Sequence, residues 1–399
     1  MDKLGIVIVG INGAVSSTLI AGVELMKSNL VPRLGMITER RDASIAEPIA
    51  DAFDYISFDQ MEFAGWDIKF SNVYEAAIHH NVLPKEHLLA IRDKLEAIKP
   101  WSAAFNKLYV KNISGENCIH VPTFREEISI FEENIKAFKI KNNLTRLVML
   151  NIASTECYLE IGEVHKSLDA FEKGLDNNDL AISPAMRYFY AANKLSIPFC
   201  NFTPSLTNIP ALAEQALKYS NPYAGMDGKT GQTLVKTALA SMFRIRHLYI
   251  NGWYSTNILG NNDGLALNSP ESNKTKVNSK KSALDSIMGY PVENHQVHIH
   301  YYKPRGDAKE AWDNIDIAGF CGIPMQMKIN FLCQDSILAA PLLIDIIRLL
   351  DVAKCQGEKG IQRQLSLFFK SPFCAPNEAP MHDLFKQEQL LLEWITRLK

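Results

Sequence analysis

A glycine-containing turn near the beginning of the chain has the residue types that bind phosphate. Residues 9–15 read VGINGAV, and they follow an apolar run that is typical of a β-strand. Glycines allow the backbone to approach a ligand closely, and the start of the next helix offers N–H donors and a positive dipole end. Asn12 and Val15, however, occupy the second and third glycine positions of the full G-x-G-x-x-G pattern. The turn therefore predicts either a dinucleotide site or an ordinary strand–turn–helix connection.

The residues that would select the dinucleotide leave two alternatives open. Glu39 ends the next predicted strand, where a carboxylate can hold a ribose hydroxyl of NAD. Arg40 and Arg41 follow it directly and would equally suit the 2′-phosphate of NADP. Local sequence therefore does not decide between NAD and NADP.

Further candidates for chemistry lie in glycine-rich turns and in one lysine-containing stretch. The turn residues with carboxylate or amide side chains are Asp227, Asn262 and Asp263. Such residues are common turn formers, so a site role and a structural role are both open. Lys276 and Lys280 are four residues apart, and a helical turn would place both charges on one face, where repulsion lowers a pKa and favours an anionic ligand. They lie in residues 268–282, a polar stretch that is equally typical of a solvated loop.

One predicted strand is crowded with histidines, at His295, His298 and His300. His298 and His300 would share a face, but no third ligand follows at a matching spacing. We therefore expect an exposed strand face there rather than a metal pair.

Short apolar runs alternate with helical patterns through the first part of the chain. Residues 5–9, 147–150 and 197–200 have the composition of strands, and each is followed by a polar turn. This alternation predicts a parallel sheet covered by helices. After Lys236, longer and closely spaced strands predict a more antiparallel sheet, at residues 245–251, 295–302, 315–320 and 325–333. Residues 335–354 have the apolar spacing of a long helix, so the chain leaves the first domain, builds a second one and returns.

Composition excludes several classes of protein. The chain has 399 residues, with 42 Lys and Arg against 44 Asp and Glu, so its formal charge of -2 gives no general attraction to nucleic acid or to anionic membranes. No apolar run reaches the roughly 20 residues of a membrane span. The seven cysteines are scattered and form no C-x-x-C pair, which is typical of reduced thiols. We therefore expect a cytoplasmic protein.

Seven short motifs follow one another along the chain. They are GWDI at residues 65–68, NFTPS at 201–205, GMDGKTGQT at 225–233, LGNNDG at 259–264, GDAK at 306–309, DSILAAP at 335–341 and FFKS at 368–371. As an ordered set they resemble the myo-inositol-1-phosphate synthase family, and the resemblance covers nearly the whole chain. Three positions differ from the usual family pattern: Asn12 stands for a glycine, Met226 for a second acid and Thr230 for a serine.

The resemblance implies an α/β fold in which a Rossmann-like NAD domain with a mostly parallel sheet is interrupted by an α+β catalytic and oligomerisation domain. The NAD domain would comprise residues 1–236 and 333–399, and the inserted domain residues 237–332. The implied reaction converts D-glucose 6-phosphate into 1D-myo-inositol 3-phosphate, with NAD regenerated in every turnover. A homotetramer is also implied, while an activating cation, monovalent (ammonium or potassium) or divalent, stays open. The alternatives are another NAD-dependent sugar-phosphate oxidoreductase on the same scaffold and a non-catalytic NAD-binding protein.

This reaction needs several positive groups around the sugar. Oxidation at carbon 5 acidifies the protons on carbon 6, and the resulting enolate attacks the aldehyde at carbon 1 before the hydride returns. Fixed cationic donors stabilise the oxyanions that arise. By resemblance, Lys276 and Lys309 serve the carbon 5 oxygen in proton transfer and charge stabilisation, while Lys370 polarises the aldehyde. Residues 268–282 would then form a loop that closes over the substrate and excludes water.

The resemblance also implies the remaining site residues. The substrate phosphate would contact Lys280, the Thr230 hydroxyl and the Gly231 backbone. The junction of nicotinamide and substrate would contain the catalytic Asp227, with Asn262 and Asp263. All the dinucleotide contacts together would be Gly10, Ile11, Asn12, Gly13, Ala14, Val15, Asp67, Ala153, Ser154, Thr155, Ser205, Asn262, Asp263, Asp335 and Ser336. The last two also begin a helix, where a capping residue is expected for structural reasons alone.

Overall fold

The structure of the chain is a computed structural model, which describes residues 2–41, 49–261, 284–375 and 378–398. The strands are β1 (Leu4–Val9), β2 (Met61–Asp67), β3 (Trp101–Ser102), β4 (Arg146–Asn151), β5 (Phe199–Asn201), β6 (Pro222–Gly225), β7 (Tyr249–Leu259), β8 (Asn294–Tyr301), β9 (Ala308–Ala318), β10 (Pro324–Gln334) and β11 (Gly360–Ile361). The α-helices are α1 (Ala14–Lys27), α2 (Val73–His80), α3 (Lys85–Ala90), α4 (Arg92–Glu96), α5 (Phe124–Lys141), α6 (Leu168–Asp176), α7 (Pro184–Lys194), α8 (Pro210–Lys218), α9 (Gly231–Ile245), α10 (Asp335–Cys355) and α11 (Leu384–Leu398).

The larger sheet contains seven strands in the order β11-β6-β5-β4-β1-β2-β3, and all the pairs are parallel. β1 is buried along its whole length, as expected for a strand that has helices on both faces. Its last residue, Val9, pairs with Trp66 of β2 on one side and with Asn151 of β4 on the other. The carboxyl ends of these strands therefore lie at one edge, and the predicted parallel sheet is confirmed.

The edge strand β11 reaches this sheet only after the chain has built the second sheet. It pairs with β6, where Gly360 lies opposite Pro222. The long helix α10, predicted over residues 335–354, precedes β11 and packs against α1. Leu19 and Ile20 of α1 share one buried core with Leu343 and Ile347 of α10. The beginning and the returning end of the chain are thus parts of one hydrophobic core.

The second sheet has the strand order β10-β9-β7-β8. β10 pairs with β9 and β9 with β7 in antiparallel fashion, while β7 and β8 are parallel. The more antiparallel character that the sequence predicted is confirmed, with one parallel pair. α9 packs against this sheet through a core that includes Phe243, Trp253 and Ile315.

Two of the predicted strand positions in this region are wrong. The strand predicted at residues 245–251 begins only at Tyr249, because α9 continues through Ile245 and a turn with His247 at a positive φ of 53° follows it. The strand predicted at residues 315–320 begins at Ala308, so it starts seven residues earlier. The first part of β9 was not predicted because polar residues such as Glu310 and Asp313 interrupt the alternation of apolar and polar residues that indicates a strand.

Glu39 does not end a strand, which corrects the prediction for this residue. Ile37–Glu39 form a short 3₁₀ turn, and the neighbour of β1 in the sheet is β2. The Glu39 carboxylate instead binds Arg348 of α10 at 2.7 Å. The residue that ends the strand next to β1 is Asp67.

The three histidines of β8 have different surroundings. His295 is buried, and its Nε2 atom lies 2.7 Å from Nζ of Lys236. The rings of His298 and His300 stack with centroids 6.2 Å apart, and His300 is exposed. The expected exposed face thus holds for His300 and is wrong for His295. Among the described residues, no group of three or more His, Cys, Asp or Glu side chains could hold a metal ion, and none of the helices there is long and apolar enough to cross a membrane.

Candidate functional site

A cavity of about 760 Å³ lies at the carboxyl edge of the seven-stranded sheet. Its walls come from the segments that follow β1, β2, β4, β5 and β6, together with side chains from β9 and the start of α10. Crevices at this edge are where open parallel sheets bind their ligands. The cavity therefore collects polar residues from both sheets in one place.

The turn after β1 fits a phosphate-bearing ligand. Gly10 has a φ of +86°, and a β-carbon there would lie 2.9 Å from the Cα atom of Ala153, so a side chain is excluded. Gly13 precedes α1, and within the described ranges no side chain caps this helix. Its first N–H groups can therefore bind an anion, which the helix dipole also favours. Ala14 and Val15 line the cavity beside them.

Asn12 connects this turn to the segment that follows β2. Its side-chain Nδ2 donates a hydrogen bond to the Ser71 carbonyl oxygen at 2.5 Å, and its carbonyl oxygen lies 2.8 Å from Nε2 of His80. The φ angle of Asn12 is not positive, so the backbone does not require glycine at this position. Asparagine thus replaces the second glycine of the pattern, and its side chain adds a contact to Ser71 that glycine could not make.

Asp67 occupies the position at the end of β2 where a dinucleotide fold holds a ribose. Its carboxylate accepts the backbone N–H of Asn12 at 2.9 Å and that of Lys69 at 3.0 Å. Burial raises the pKa of Asp67, while these N–H groups act in the opposite direction. It therefore holds the position that the sequence reasoning had assigned to Glu39.

The segments after β4 and β5 form the opposite wall. Ala153, Ser154 and Thr155 line the cavity, and so does Ser205, whose hydroxyl oxygen accepts the N–H of Glu156 at 3.1 Å. This bond joins the two segments. The predicted site residues of these two segments therefore lie together on one wall of the cavity.

Glu156 is a cavity residue that the sequence reasoning missed. It is buried, and its Oε1 atom accepts the N–H of Ala185 at the start of α7 at 2.9 Å. Burial raises the pKa of this carboxyl group. Its place directly after Thr155 was the available signal, although a glutamate in a polar turn usually indicates an exposed residue.

Asp227 and Lys370 form the first of two lysine–carboxylate pairs in the cavity. The Lys370 ammonium donates to Asp227 Oδ1 at 2.8 Å, and the exposed fractions of the two side chains are 10% and 6%. The other carboxylate oxygen of Asp227 is buried without a partner among the described residues, so it can serve a ligand. A partly buried cation beside an open cavity can stabilise an oxyanion.

The second pair joins the two sheets. Nζ of Lys309, on β9, lies 3.4 Å from both carboxylate oxygens of Asp335, the first residue of α10. The Thr230 hydroxyl donates to Asp335 Oδ1 at 2.8 Å. All three residues line the cavity, so a second cation and a hydroxyl group lie at the same opening.

Three residues of the predicted contacts do not themselves line the cavity. Ile11 is buried below the turn, and Gly231 begins α9 outside the cavity wall. Ser336 is buried, and its N–H and hydroxyl both donate to Asp307, at 2.9 and 2.7 Å. The start of α10 is thus stabilised by Asp307, a residue that the sequence reasoning did not single out. The predictions for Asn262, Asp263, Lys276 and Lys280, and for a loop over residues 268–282, lie outside the described residues.

The parallel sheet, the turn after β1 and the carboxylate at the end of β2 define a dinucleotide-binding α/β protein. A family model described as "Myo-inositol-1-phosphate synthase", an NAD-binding family, matches residues 4–396. An inositol-3-phosphate synthase of Bacteroides thetaiotaomicron is 42% identical over 99% of this chain and 95% of its own length. The chain therefore belongs to the myo-inositol-1-phosphate synthase family.

More distant proteins agree with this result. An inositol-3-phosphate synthase isozyme of Arabidopsis thaliana is 28% identical over 98% of this chain and 84% of its own length. The crystal structure of an inositol-3-phosphate synthase from Caenorhabditis elegans matches with a TM-score of 0.92 at 24% identity, covering 100% of this chain and 86% of that one. A myo-inositol-1-phosphate synthase-related protein from Thermotoga maritima matches with a TM-score of 0.78 at 22% identity, covering 99% and 98%. These two similarities show the fold.

Proposed function

We propose that this chain is an NAD-dependent inositol-3-phosphate synthase, an isomerase that cyclises D-glucose 6-phosphate to 1D-myo-inositol 3-phosphate. The observation that carries the proposal is the meeting of two lysine–carboxylate pairs, Lys370 with Asp227 and Lys309 with Asp335, in the cavity of a dinucleotide-type sheet. Membership of the synthase family supports the same reaction.

The cavity residues fit NAD. Gly10 and the start of α1 would hold the pyrophosphate, because the glycine has no β-carbon to block its approach. Asp67 would bind a ribose hydroxyl, and residues 153–155 would line the path towards the nicotinamide. Bound NAD supplies a reversible hydride acceptor for carbon 5 of the sugar.

The lysines have the charge that the sugar intermediates require. Lys309 would stabilise the carbon 5 oxygen, with Lys276 as its predicted partner in proton transfer, and Lys370 would polarise the carbon 1 aldehyde. Each fixed donor of this kind is worth about 3 kcal/mol of transition-state stabilisation in a water-poor site. Asp227 and Asp335 keep the two observed ammonium groups oriented towards the cavity. Thr230 and Gly231, with Lys280, would bind the phosphate.

A single assay separates the proposal from its alternatives. The purified chain is incubated with D-glucose 6-phosphate and a catalytic amount of NAD, and the sugar phosphates are separated by chromatography. A synthase forms inositol phosphate without net NADH, because its redox step closes on itself. Accumulating NADH without inositol phosphate would identify another sugar-phosphate oxidoreductase, and NAD binding without turnover would identify a non-catalytic binder.

The second sheet supports an assembly of several copies, and a homotetramer is part of the proposal. Its edge strand β10 is largely exposed over eleven residues. Large apolar side chains are exposed on this strand and in the turn before it, with Leu332 at 58% and Phe320 at 93%. Long exposed edges of this kind pair readily with another chain. Light scattering after gel filtration measures the mass, and a monomer at micromolar concentration would contradict the assembly.

The proposal includes the division into an NAD domain of residues 1–236 and 333–399 and an inserted domain of residues 237–332. It also includes a cytoplasmic location, which is supported by seven cysteines that form no disulfide bond. An activating cation is tested by assaying desalted, chelator-treated enzyme with ammonium, potassium or magnesium ions. Equal rates in all three and in their absence would exclude such activation.

A further inference from the structure

Lys229 is a buried lysine that the mechanism above does not use. It is 3% exposed, and it lies between Gly228 and Thr230, which both line the cavity. Its own side chain is buried outside the cavity, where the ammonium group donates a hydrogen bond to Oε1 of Gln387 in α11. Burying an amine costs free energy unless its surroundings compensate, so its presence needs a reason.

The backbone of Lys229 belongs to a short antiparallel bridge that carries the Asp227–Lys370 pair. The N–H of Lys229 donates to the Phe368 carbonyl oxygen at 2.8 Å, and that of Lys370 donates to the Asp227 carbonyl oxygen at 2.7 Å. Gly228 and Phe369 are the bridged residues between them. Asp227 and Lys370 thus lie opposite each other, which brings their side chains within hydrogen-bond distance.

The segment before and within α11 contacts both strands of this bridge, and its residues His382 and Gln387 do not line the cavity. Gln387 accepts from Lys229 on one strand, and its Nε2 atom donates to the Met381 carbonyl oxygen at 2.5 Å. His382 is buried and hydrogen-bonded to the backbone of Lys370 on the other strand. Asp383 in turn pairs with Arg244 of α9 at 2.5 Å. We call Lys229, His382 and Gln387 the rear cluster.

The electrostatics of the rear cluster suit a group that holds structure and does not bind an anion. Burial lowers the pKa of Lys229 to about 7, and the charge of Asp383 acts in the opposite direction. Burial, and then the charge of Lys229, lowers the pKa of His382 to about 4. Lys229 and His382 together therefore carry at most one positive charge at neutral pH. Gln387 and Asp383 lie beside that charge.

We propose that Lys229 is a positioning residue, which with Gln387 and His382 fixes the bridge so that the Lys370 ammonium stays paired with Asp227 at the cavity wall. The inference rests on the proposed function, because it assigns Lys229 an effect on the step that Lys370 serves. It also predicts that the C-terminal helix α11 affects turnover without touching the substrate.

The first test replaces one member of the rear cluster at a time. Lys229→Met and Gln387→Met should each lower kcat about tenfold, since a small misplacement of a catalytic group has effects of this size or larger. The KM for glucose 6-phosphate and the Kd for NAD should stay within about twofold, because neither side chain lines the cavity. Gln387→Glu keeps an acceptor oxygen for Lys229 and should retain kcat within about threefold of the unmodified chain.

Lys354→Met is the matched control. Lys354 is a partly buried lysine near the end of α10, where it donates to Ser196 and Ser220, some 19 residues and about 28 Å along the helix from Asp335. Its loss should leave kcat unchanged. Wild-type kcat in both Lys229→Met and Gln387→Met would overturn the proposal. If Gln387→Glu loses as much kcat as Gln387→Met, or if Lys354→Met loses as much as Lys229→Met, the rear cluster would act only as ordinary core packing. Either result would also overturn the proposal.

A second measurement does not depend on turnover. Limiting acetic anhydride labels accessible amines, and mass spectrometry of the folded protein gives the labelling rate of Lys370. This rate should rise several-fold in Lys229→Met and remain unchanged in Lys354→Met. An unmodified chain that makes no inositol phosphate would refute the proposed function alone, whereas an unchanged Lys370 labelling rate in Lys229→Met would refute the positioning of Lys370.

Discussion

The two lysine–carboxylate pairs of the cavity are built in different ways. Asp227 and Lys370 lie opposite each other in one short bridge, so backbone hydrogen bonds fix both partners and their side chains meet at 2.8 Å. Lys309 comes from the second sheet and Asp335 from the start of α10, and they lie 3.4 Å apart. The first pair therefore depends on local backbone structure, whereas the second depends on how the second sheet meets the rest of the chain.

The largest expected effect comes from removing either ammonium group. Lys370→Ala and Lys309→Ala should each lower kcat by about 10²–10³-fold, because a fixed donor to a developing oxyanion is lost. NAD affinity, measured by fluorescence titration, should change little. The exposed Lys359 serves as the control, and Lys359→Ala should be as active as the unmodified chain. Unchanged kcat in either cavity variant would remove that lysine from the mechanism.

Replacing the carboxylates should separate the two pairs. Asp227→Asn weakens the orientation of Lys370 and should mainly lower kcat, by about tenfold. Asp335→Asn weakens the contacts to both Lys309 and Thr230, so it should raise the KM for glucose 6-phosphate as well as lower kcat. Steady-state kinetics of both variants measure this. Identical changes in kcat and KM would show that the two pairs act as one unit.

The smallest effect concerns the stability of the sheet that carries Lys309. Lys236 is buried in its core, with its Nζ atom 3.0 Å from Ser255 Oγ, and burial lowers its pKa to about 8. An ordinary lysine has a pKa near 10.5, so unfolding takes up a proton between these values and is disfavoured as the pH rises.

The stability of the unmodified chain relative to Lys236→Met should therefore increase from pH 8 to pH 10, on the order of 1 kcal/mol per pH unit. Urea unfolding at several pH values measures this difference. Lys359→Met provides the comparison at an exposed site, where the difference should not vary with pH. A flat difference for Lys236→Met as well would contradict a lowered pKa in the folded state.

The sequence was sufficient to predict that the first sheet is parallel and covered by helices, because several of its strands are apolar runs that end in polar turns. The turn at Gly10 and Gly13 was likewise predicted from the sequence, because Gly10 has a positive φ that residues with a side chain rarely adopt. Glu39 was misplaced because a 3₁₀ turn and a strand end look alike over three residues. The family resemblance named Asp67, and the sheet register shows that this residue ends the strand beside β1.

The lysine–carboxylate pairs could not be predicted from spacing. Asp227 and Lys370 are 143 positions apart, and their contact depends on the return of the chain to the first sheet. The family resemblance named both residues, but it gave no sign of which carboxylate serves which lysine. Lys229 was missed for a related reason. The sequence does not distinguish a buried lysine from an exposed one, and most lysines are exposed.

The late arrival of β11 and Lys370 has a consequence for biosynthesis. The nucleotide turn follows the first strand of the sheet, yet the strand that pairs with β6 and the lysine opposite Asp227 are synthesised only after the whole second sheet. Only β11 of the seven strands is synthesised after the second sheet, so the β6 edge stays unpaired while the second sheet is made. An exposed β6 edge of this kind is a natural binding site for a chaperone until β11 emerges and pairs with it.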